Sequence, residues 1–178
     1  MKTYQINLLI CTVLMLSFTG PAGAAVLDKA AGGFTVQGEV VIQGTPTETY
    51  RVFVDEIGQW WNSDHTFSAD AQNLSLHAAP GGCLCERLPG GSLRHLEVIY
   101  ADAGKEIRLS GGLGPLHELG VTGVLKFQFK GEATTTMTYT YRVGGYLGEG
   151  LDSWAEAVDF VVNEQVTRLR DHVSRKAD

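Results

Sequence analysis

The sequence is poor in the features that usually mark a particular chemistry. It has three cysteines in 178 residues, too few for a disulfide scaffold. It contains no His-Glu-x-x-His segment, no Gly-x-Ser-x-Gly segment, and no second cysteine pair at zinc spacing from Cys83-Leu84-Cys85. These absences argue against a zinc protease, a structural zinc site and a serine hydrolase. We therefore predict no metal site and no cofactor.

Positive charge is also scarce. The chain has 14 lysines and arginines against 20 acidic residues, a net charge of −6, and the basic residues form no cluster. Such an acidic chain is not expected to bind nucleic acid or anionic membrane surfaces. Hydrophobic residues make up 44% and charged residues 19% of the sequence. This composition supports a real hydrophobic core, and the length fits one domain.

The first residues have the layout of a secretory signal peptide. Met1 and Lys2 precede an apolar run over 6–18, and Ala22 and Ala24 stand at the spacing that a signal peptidase reads. We predict a signal peptide over 1–25, an exported (periplasmic or secreted) domain over 26–178, and no integral membrane span after cleavage. The alternative is an N-terminal membrane anchor, but the run is shorter than the roughly 20 residues that a spanning helix needs.

The rest of the chain predicts an α+β fold. Alternating apolar residues over 34–42 indicate a strand, Thr45-Pro46 begins a helix, and Gly58 is expected to divide that helix into two short ones. Glycine turns then separate six predicted strands, and a long amphipathic helix follows. The strands are predicted at 74–79, 83–88, 92–101, 105–111, 121–130 and 133–143, and the helix at 151–176. We expect a curved antiparallel sheet of about seven strands around the C-terminal helix.

The side chains that face this helix depend on strand register. A four-residue loop over 89–92 would place Leu88 opposite Leu93, which turns Cys83 and Cys85 inward and Glu86 and His95 outward. The next hairpin would pair Val98 with Leu109 and Tyr100 with Ile107, and the last hairpin would bring Leu125, Phe127 and Phe129 beside Met137, Tyr139 and Tyr141. Cysteines among apolar side chains are expected to be inert. Their redox state is left open.

The element order resembles the helix-grip arrangement of the START-like (SRPBCC) superfamily, which includes polyketide cyclase-like proteins. The segments that resemble it are Trp60-Trp61-Asn62-Ser63-Asp64-His65-Thr66-Phe67-Ser68, Pro80-Gly81-Gly82-Cys83-Leu84-Cys85-Glu86 and Gly111-Gly112-Leu113-Gly114-Pro115-Leu116. The resemblance implies a pocket for hydrophobic molecules between sheet and C-terminal helix. The residues expected to line it are Trp61, Cys83, Cys85, Val98, Tyr100, Leu109, Leu113, Phe127, Tyr139, Tyr141, Tyr146, Trp154 and Val158.

Three functional hypotheses remain open. The first is the binding of a hydrophobic or amphipathic small molecule, lipid- or polyketide-like. The second is a cofactor-free cyclase, lyase or hydrolase that uses Glu86 with His95, or His65 at the pocket mouth, as acid or base. The third is a protein-interaction or chaperone-like module that exposes Trp60 and Trp61. The sequence gives no oligomeric state.

Overall fold

The computed structural model describes residues 25–177, so the predicted signal peptide lies outside them except for its last residue. The fold is α+β. The eight strands of this described part form one antiparallel sheet in the order β1-β2-β8-β7-β6-β5-β4-β3. The strands are β1 Ala25–Ala30, β2 Gly33–Gln43, β3 Leu74–Leu76, β4 Cys83–Leu88, β5 Gly91–Asp102, β6 Glu106–Ser110, β7 Thr122–Gly131 and β8 Thr134–Gly144. The strand missed by the sequence is β1, an exposed edge strand without a buried face.

The helices are α1 Pro46–Asp55, α2 Ile57–Trp60 and the long α3 Ala155–Ala177, which a short 3₁₀ turn precedes. The predicted start of α1 is confirmed. Thr45 caps it, and the Glu48 side chain accepts a hydrogen bond from the Thr45 backbone, which completes a capping box. The break between α1 and α2 falls at Glu56 rather than at Gly58.

The hairpin of β7 and β8 has the predicted register. Leu125 pairs with Tyr141, Phe127 with Tyr139 and Phe129 with Met137. All six side chains are buried. Alternation along both strands therefore fixed the inner face of this half of the sheet.

The predicted register of β4 and β5 is wrong. The connecting loop is two residues long, since Leu88 pairs with Gly91, and a bulge at His95 then shifts the pairing. A one-residue change of register exchanges the two faces of a strand. Glu86 and His95 are consequently buried, 1% and 4% exposed, whereas Cys83 and Cys85 lie partly exposed on the opposite face.

A second bulge corrects the prediction for Tyr100. Val98 pairs with Leu109 as predicted, but the pairing shifts at Ile99, so Tyr100 lies opposite Arg108 rather than Ile107. The Tyr100 ring is therefore on the exposed face, and the Arg108 guanidinium lies 4.6 Å from its centroid. Tyr100 does not contribute to the inner wall.

The core lies between the sheet and the helices. From α3, Val162, Val166 and Leu169 are buried in it. Trp60 and Trp61 are 2% and 7% exposed, so the exposed tryptophan patch of the interaction hypothesis does not exist. Within 25–177, no helix is both long enough and apolar enough to pass through a bilayer.

Candidate ligand cavity

A cavity of about 330 Å³ opens beside the first half of α3. Its walls come from α3 and from two loops, which run from Trp61 to Phe67 and from Leu113 to Leu116. Most of the lining is apolar, and Asp64, His65 and Thr66 supply polar groups. The full lining consists of Trp61, Asp64, His65, Thr66, Phe67, Leu113, Gly114, Pro115, Leu116, Trp154, Ala157, Val158, Val161 and Val162.

The structure brings some of the predicted ligand-binding residues together and leaves others apart. Trp61, Leu113, Trp154 and Val158 line the cavity, and so does His65. Five of the predicted residues on the strands do not, because they are buried in the core as part of the inner wall: Val98, Leu109, Phe127, Tyr139 and Tyr141. Tyr146 is 88% exposed and lies outside this cavity.

Glu86 and His95 form a buried pair that holds one wall of the cavity. The carboxylate of Glu86 accepts hydrogen bonds from the backbone N–H of Phe67 at 3.1 Å and of Ser68 at 2.5 Å. Its Oε2 also lies 2.8 Å from His95 Nε2. Buried carboxylates require such partners. Glu86 therefore fixes the loop that carries Phe67 into the cavity lining.

The pKa shifts of Glu86 and His95 indicate which of the two carries a proton. Burial alone would raise the pKa of Glu86, but the hydrogen bonds from Ser68, Phe67 and His95 outweigh it and lower the pKa. Burial lowers the pKa of His95 against the opposing effect of Glu86. His95 is thus neutral near pH 7 and donates from Nε2 to the carboxylate. Its Nδ1 is buried and has no hydrogen-bond partner in the described structure.

Tyr141 anchors the second loop. Its hydroxyl donates to the Gly111 carbonyl at 2.8 Å and accepts from the Leu113 backbone N–H at 3.0 Å. Burial raises the pKa of this phenol to about 12. Tyr139 is tied differently, since its hydroxyl donates to Asp159 on α3 at 3.2 Å. Tyr141 therefore supports the Leu113 wall from beneath rather than from inside the cavity.

Polar contacts with α3 hold the first loop in place. His65 Nε2 lies 2.9 Å from Glu164 Oε2, and the Asn62 side chain donates to the other carboxylate oxygen at 2.7 Å. The buried Gln165 accepts a hydrogen bond from the Asn62 backbone N–H at 2.8 Å. This cavity wall is therefore fastened to the helix that it faces.

Several lining residues escaped the sequence analysis. Val161, Val162 and Ala157 belong to the apolar stripe of α3 and could have been found from its helical spacing. Phe67 and Pro115 lie in irregular loops, where no periodicity exists. The loop of Phe67 is held by Glu86, and the loop of Pro115 is held by the hydrogen bonds of Tyr141. No sequence pattern predicts these contacts.

Cys83 and Cys85 form a disulfide on the exposed face of β4. They lie on the side of the strand opposite to Glu86 and do not line the cavity. The prediction that they point inward is wrong, because the bulge at His95 adds a one-residue shift that reverses the faces of β4 relative to β5. In the described part of the chain, no three His, Cys, Asp or Glu residues are grouped so as to hold a metal ion.

Comparison with known proteins gives a fold but no family. No family model and no curated protein matches the sequence. An uncharacterised protein from Rhizobium leguminosarum has a TM-score of 0.58 at 17% identity, over 85% of this chain and 98% of that one. CalU16 from Micromonospora echinospora has a TM-score of 0.56 at 11% identity, over 85% and 80% of the two chains.

A third likeness comes from DynU16, described as a protein in the dynemicin biosynthetic locus. Its TM-score is 0.54 at 18% identity, over 79% of this chain and 47% of DynU16. At these identities the likenesses show a shared fold and nothing about activity. That fold is a large antiparallel sheet with a long C-terminal helix.

Proposed function

We propose that this protein is an exported carrier of the START-like, helix-grip type that holds a small hydrophobic or amphipathic molecule, lipid- or polyketide-like. The observation that carries the proposal is the apolar cavity between α3 and the two loops. Apolar clefts with a few polar groups are the usual form of ligand sites. Asp64, His65 and Thr66 supply those polar groups here.

The size of the cavity limits the ligand. About 330 Å³ is at the lower end of the roughly 300–1,000 Å³ range of ligand pockets. Deeper in the fold, the space between helices and sheet is filled by aromatic side chains, so a ligand cannot extend there without displacing them. We therefore expect a compact apolar molecule rather than a long acyl chain.

A neutral dye tests the carrier function. The folded protein should bind N-phenyl-1-naphthylamine with a rise in dye fluorescence. Val158→Arg places a charge in the cavity lining and should weaken dye binding at least about tenfold, because burying an unpaired charge is costly. Phe160→Arg is the matched control, since Phe160 is on the same helix, is 67% exposed and does not line the cavity. Equal dye binding by both variants, or no dye binding by the folded protein, would reject the proposal.

Export is tested separately. The protein should be recovered outside the cytoplasm of a bacterial host, with an N-terminus near Ala25. Retention of Lys2 in the exported protein would instead support the membrane-anchor alternative. This outcome does not affect the dye experiment, which measures only the cavity.

A second candidate function is cofactor-free catalysis by His65. The observation that favours it is the position of His65 in the cavity lining with its Nε2 held by Glu164. An imidazole oriented by a carboxylate is a common general base. Glu86 is not favoured for this role, because it lies outside the cavity lining and its carboxylate already has three donors. Turnover of a bound ligand that is lost in His65→Asn, with binding retained, would establish the second function.

A further inference from the structure

The Cys83–Cys85 disulfide lies on the face of β4 that the carrier function does not use. Both residues are partly exposed and are separated by Leu84, which points into the core. We propose that this pair is a redox-active disulfide, which exchanges reversibly with an external dithiol. Neither cysteine lines the cavity.

The fold does not depend on this bridge. A disulfide generally stabilises a protein less the shorter the loop that it closes, and this one closes a loop of only three residues. The strand is held on both sides by pairing instead, with Leu84 opposite Leu76 on β3 and Leu96 on β5. Both redox states can therefore occupy the same sheet, with the two thiols remaining on one face.

The segment of β4 that carries the disulfide is shorter than a regular strand. The two Cα atoms lie 5.3 Å apart, whereas alternate residues of a regular strand lie about 6.6 Å apart. The contraction coincides with the bulge opposite Leu84 and Cys85. A separation of 5.3 Å lies within the ordinary range for disulfides, so the bridge can form and open within the strand.

Cross-strand neighbours make the two sulfurs unequal. Cys85 lies opposite Arg94, whereas Cys83 lies opposite Glu97. Arg94 Nη1 is 2.8 Å from Glu97 Oε2, so a positive and a negative group lie side by side next to the bridge. A guanidinium favours a thiolate on Cys85, and a carboxylate disfavours one on Cys83. Cys85 is thus the better leaving group and, after reduction, the better nucleophile.

The exchange follows from this asymmetry. A thiolate of the dithiol donor attacks Sγ of Cys83, the bond between the two sulfurs breaks, and its electron pair leaves on Sγ of Cys85, which takes up a proton from water. The second donor thiol loses its proton and attacks the donor sulfur of the mixed disulfide. Cys83 is released as a thiolate and is protonated. The donor is oxidised by two electrons to a disulfide, and the protein pair is reduced to two thiols.

The first experiment measures native reduction. The Cys11→Ser variant is used, so that only the pair can be labelled even if the first 25 residues are retained. It is treated with dithiothreitol without denaturant, alkylated with N-ethylmaleimide and weighed by mass spectrometry. We expect two added labels, an unchanged circular dichroism spectrum, and reversal by oxidised glutathione. Labelling that requires denaturant, or reduction that unfolds the protein, would overturn the proposal.

The second experiment tests the order of attack with matched variants. Cys83→Ser leaves the thiol of Cys85, and Cys85→Ser leaves the thiol of Cys83. With the neutral reagent 2,2′-dithiodipyridine, the Cys85 thiol should react at least about threefold faster at low salt. Adding Arg94→Gln should slow the reaction of the Cys85 thiol, because the guanidinium that favours its thiolate is gone. Equal or reversed rates in the two single variants would contradict the assigned roles.

Discussion

The two ends of the space between the sheet and the helices are built differently. At one end Phe53 is surrounded by aromatic rings, with centroid distances of 4.9 Å to Phe127, 5.5 Å to Phe129 and 5.5 Å to Trp60. That end is filled. At the other end the walls are loops, and the cavity opens there.

The difference shows what makes a void stable in this fold. Strand side chains alternate and fill the space that they face. Loops have no such regular alternation and can leave part of the space empty. Loops need their own supports, and here Glu86 holds the Phe67 loop while Tyr141 holds the Leu113 loop. The hollow end thus depends on buried polar groups, and the filled end depends on apolar packing.

The filled end should show the largest stability effect. Phe53→Ala removes the centre of the aromatic cluster and should lower the free energy of unfolding by about 3–5 kcal/mol, measured by urea denaturation. The folded fraction should still bind the dye, because Phe53 does not line the cavity. Phe160→Ala, at an exposed position, should change the free energy of unfolding by less than about 0.5 kcal/mol. If folded Phe53→Ala protein no longer bound the dye, the two ends would not be independent of each other.

The Phe67 support should show the next largest effect. Glu86→Gln keeps the shape but removes the charge that accepts two backbone N–H groups, and should cost about 2–3 kcal/mol. The dye should also bind more weakly, because the Phe67 wall is released. Glu97→Gln, with a side chain that is 41% exposed, is the control and should leave both quantities nearly unchanged. Full dye affinity in Glu86→Gln would show that this loop does not shape the cavity.

The Leu113 support should matter somewhat less. Tyr141→Phe leaves the Gly111 carbonyl and the Leu113 N–H without their partner, which should cost about 1–2 kcal/mol in urea denaturation and weaken dye binding. Tyr139→Phe removes a hydroxyl from the neighbouring strand residue that contacts α3 rather than a loop. It should leave dye binding unchanged. Equal dye affinities in the two variants would show that Tyr141 does not support the cavity wall.

The pH dependence of stability is the smallest expected effect. His95 has a lowered pKa in the folded state, so below about pH 6.5 the unfolded chain binds a proton that the folded chain resists. Stability is therefore complete above this pH and falls as the pH decreases. Between pH 7.5 and 5.5, the Tm of the wild type should fall roughly 2–4 °C more than that of His95→Gln. Parallel Tm profiles for the two proteins would contradict the neutral, buried His95.

The same contrast explains what the sequence could predict. Unbroken alternation over β7 and β8 predicted their pairs correctly. The spacing of α3 predicted the apolar face that carries Trp154 and Val158, which line the cavity. Bulges at His95 and Ile99 leave no mark in an alternating pattern, so Glu86 and Tyr100 were placed on the wrong faces. Five of the strand residues predicted to line the pocket instead pack with aromatic side chains of α1 and α2 and fill the core. These helices are distant from the strands in the sequence, so the pattern of the strands alone could not predict this packing.

Photoaffinity labelling tests the central claim most directly. A small apolar diazirine is irradiated with the folded protein, and the labelled positions are mapped by peptide mass spectrometry. Our account predicts adducts at the cavity lining, namely on 61–67, 113–116 and 154–162, that a competing apolar ligand removes. Adducts concentrated on Val98, Phe127 or Tyr139, or no competable adduct at all, would contradict it.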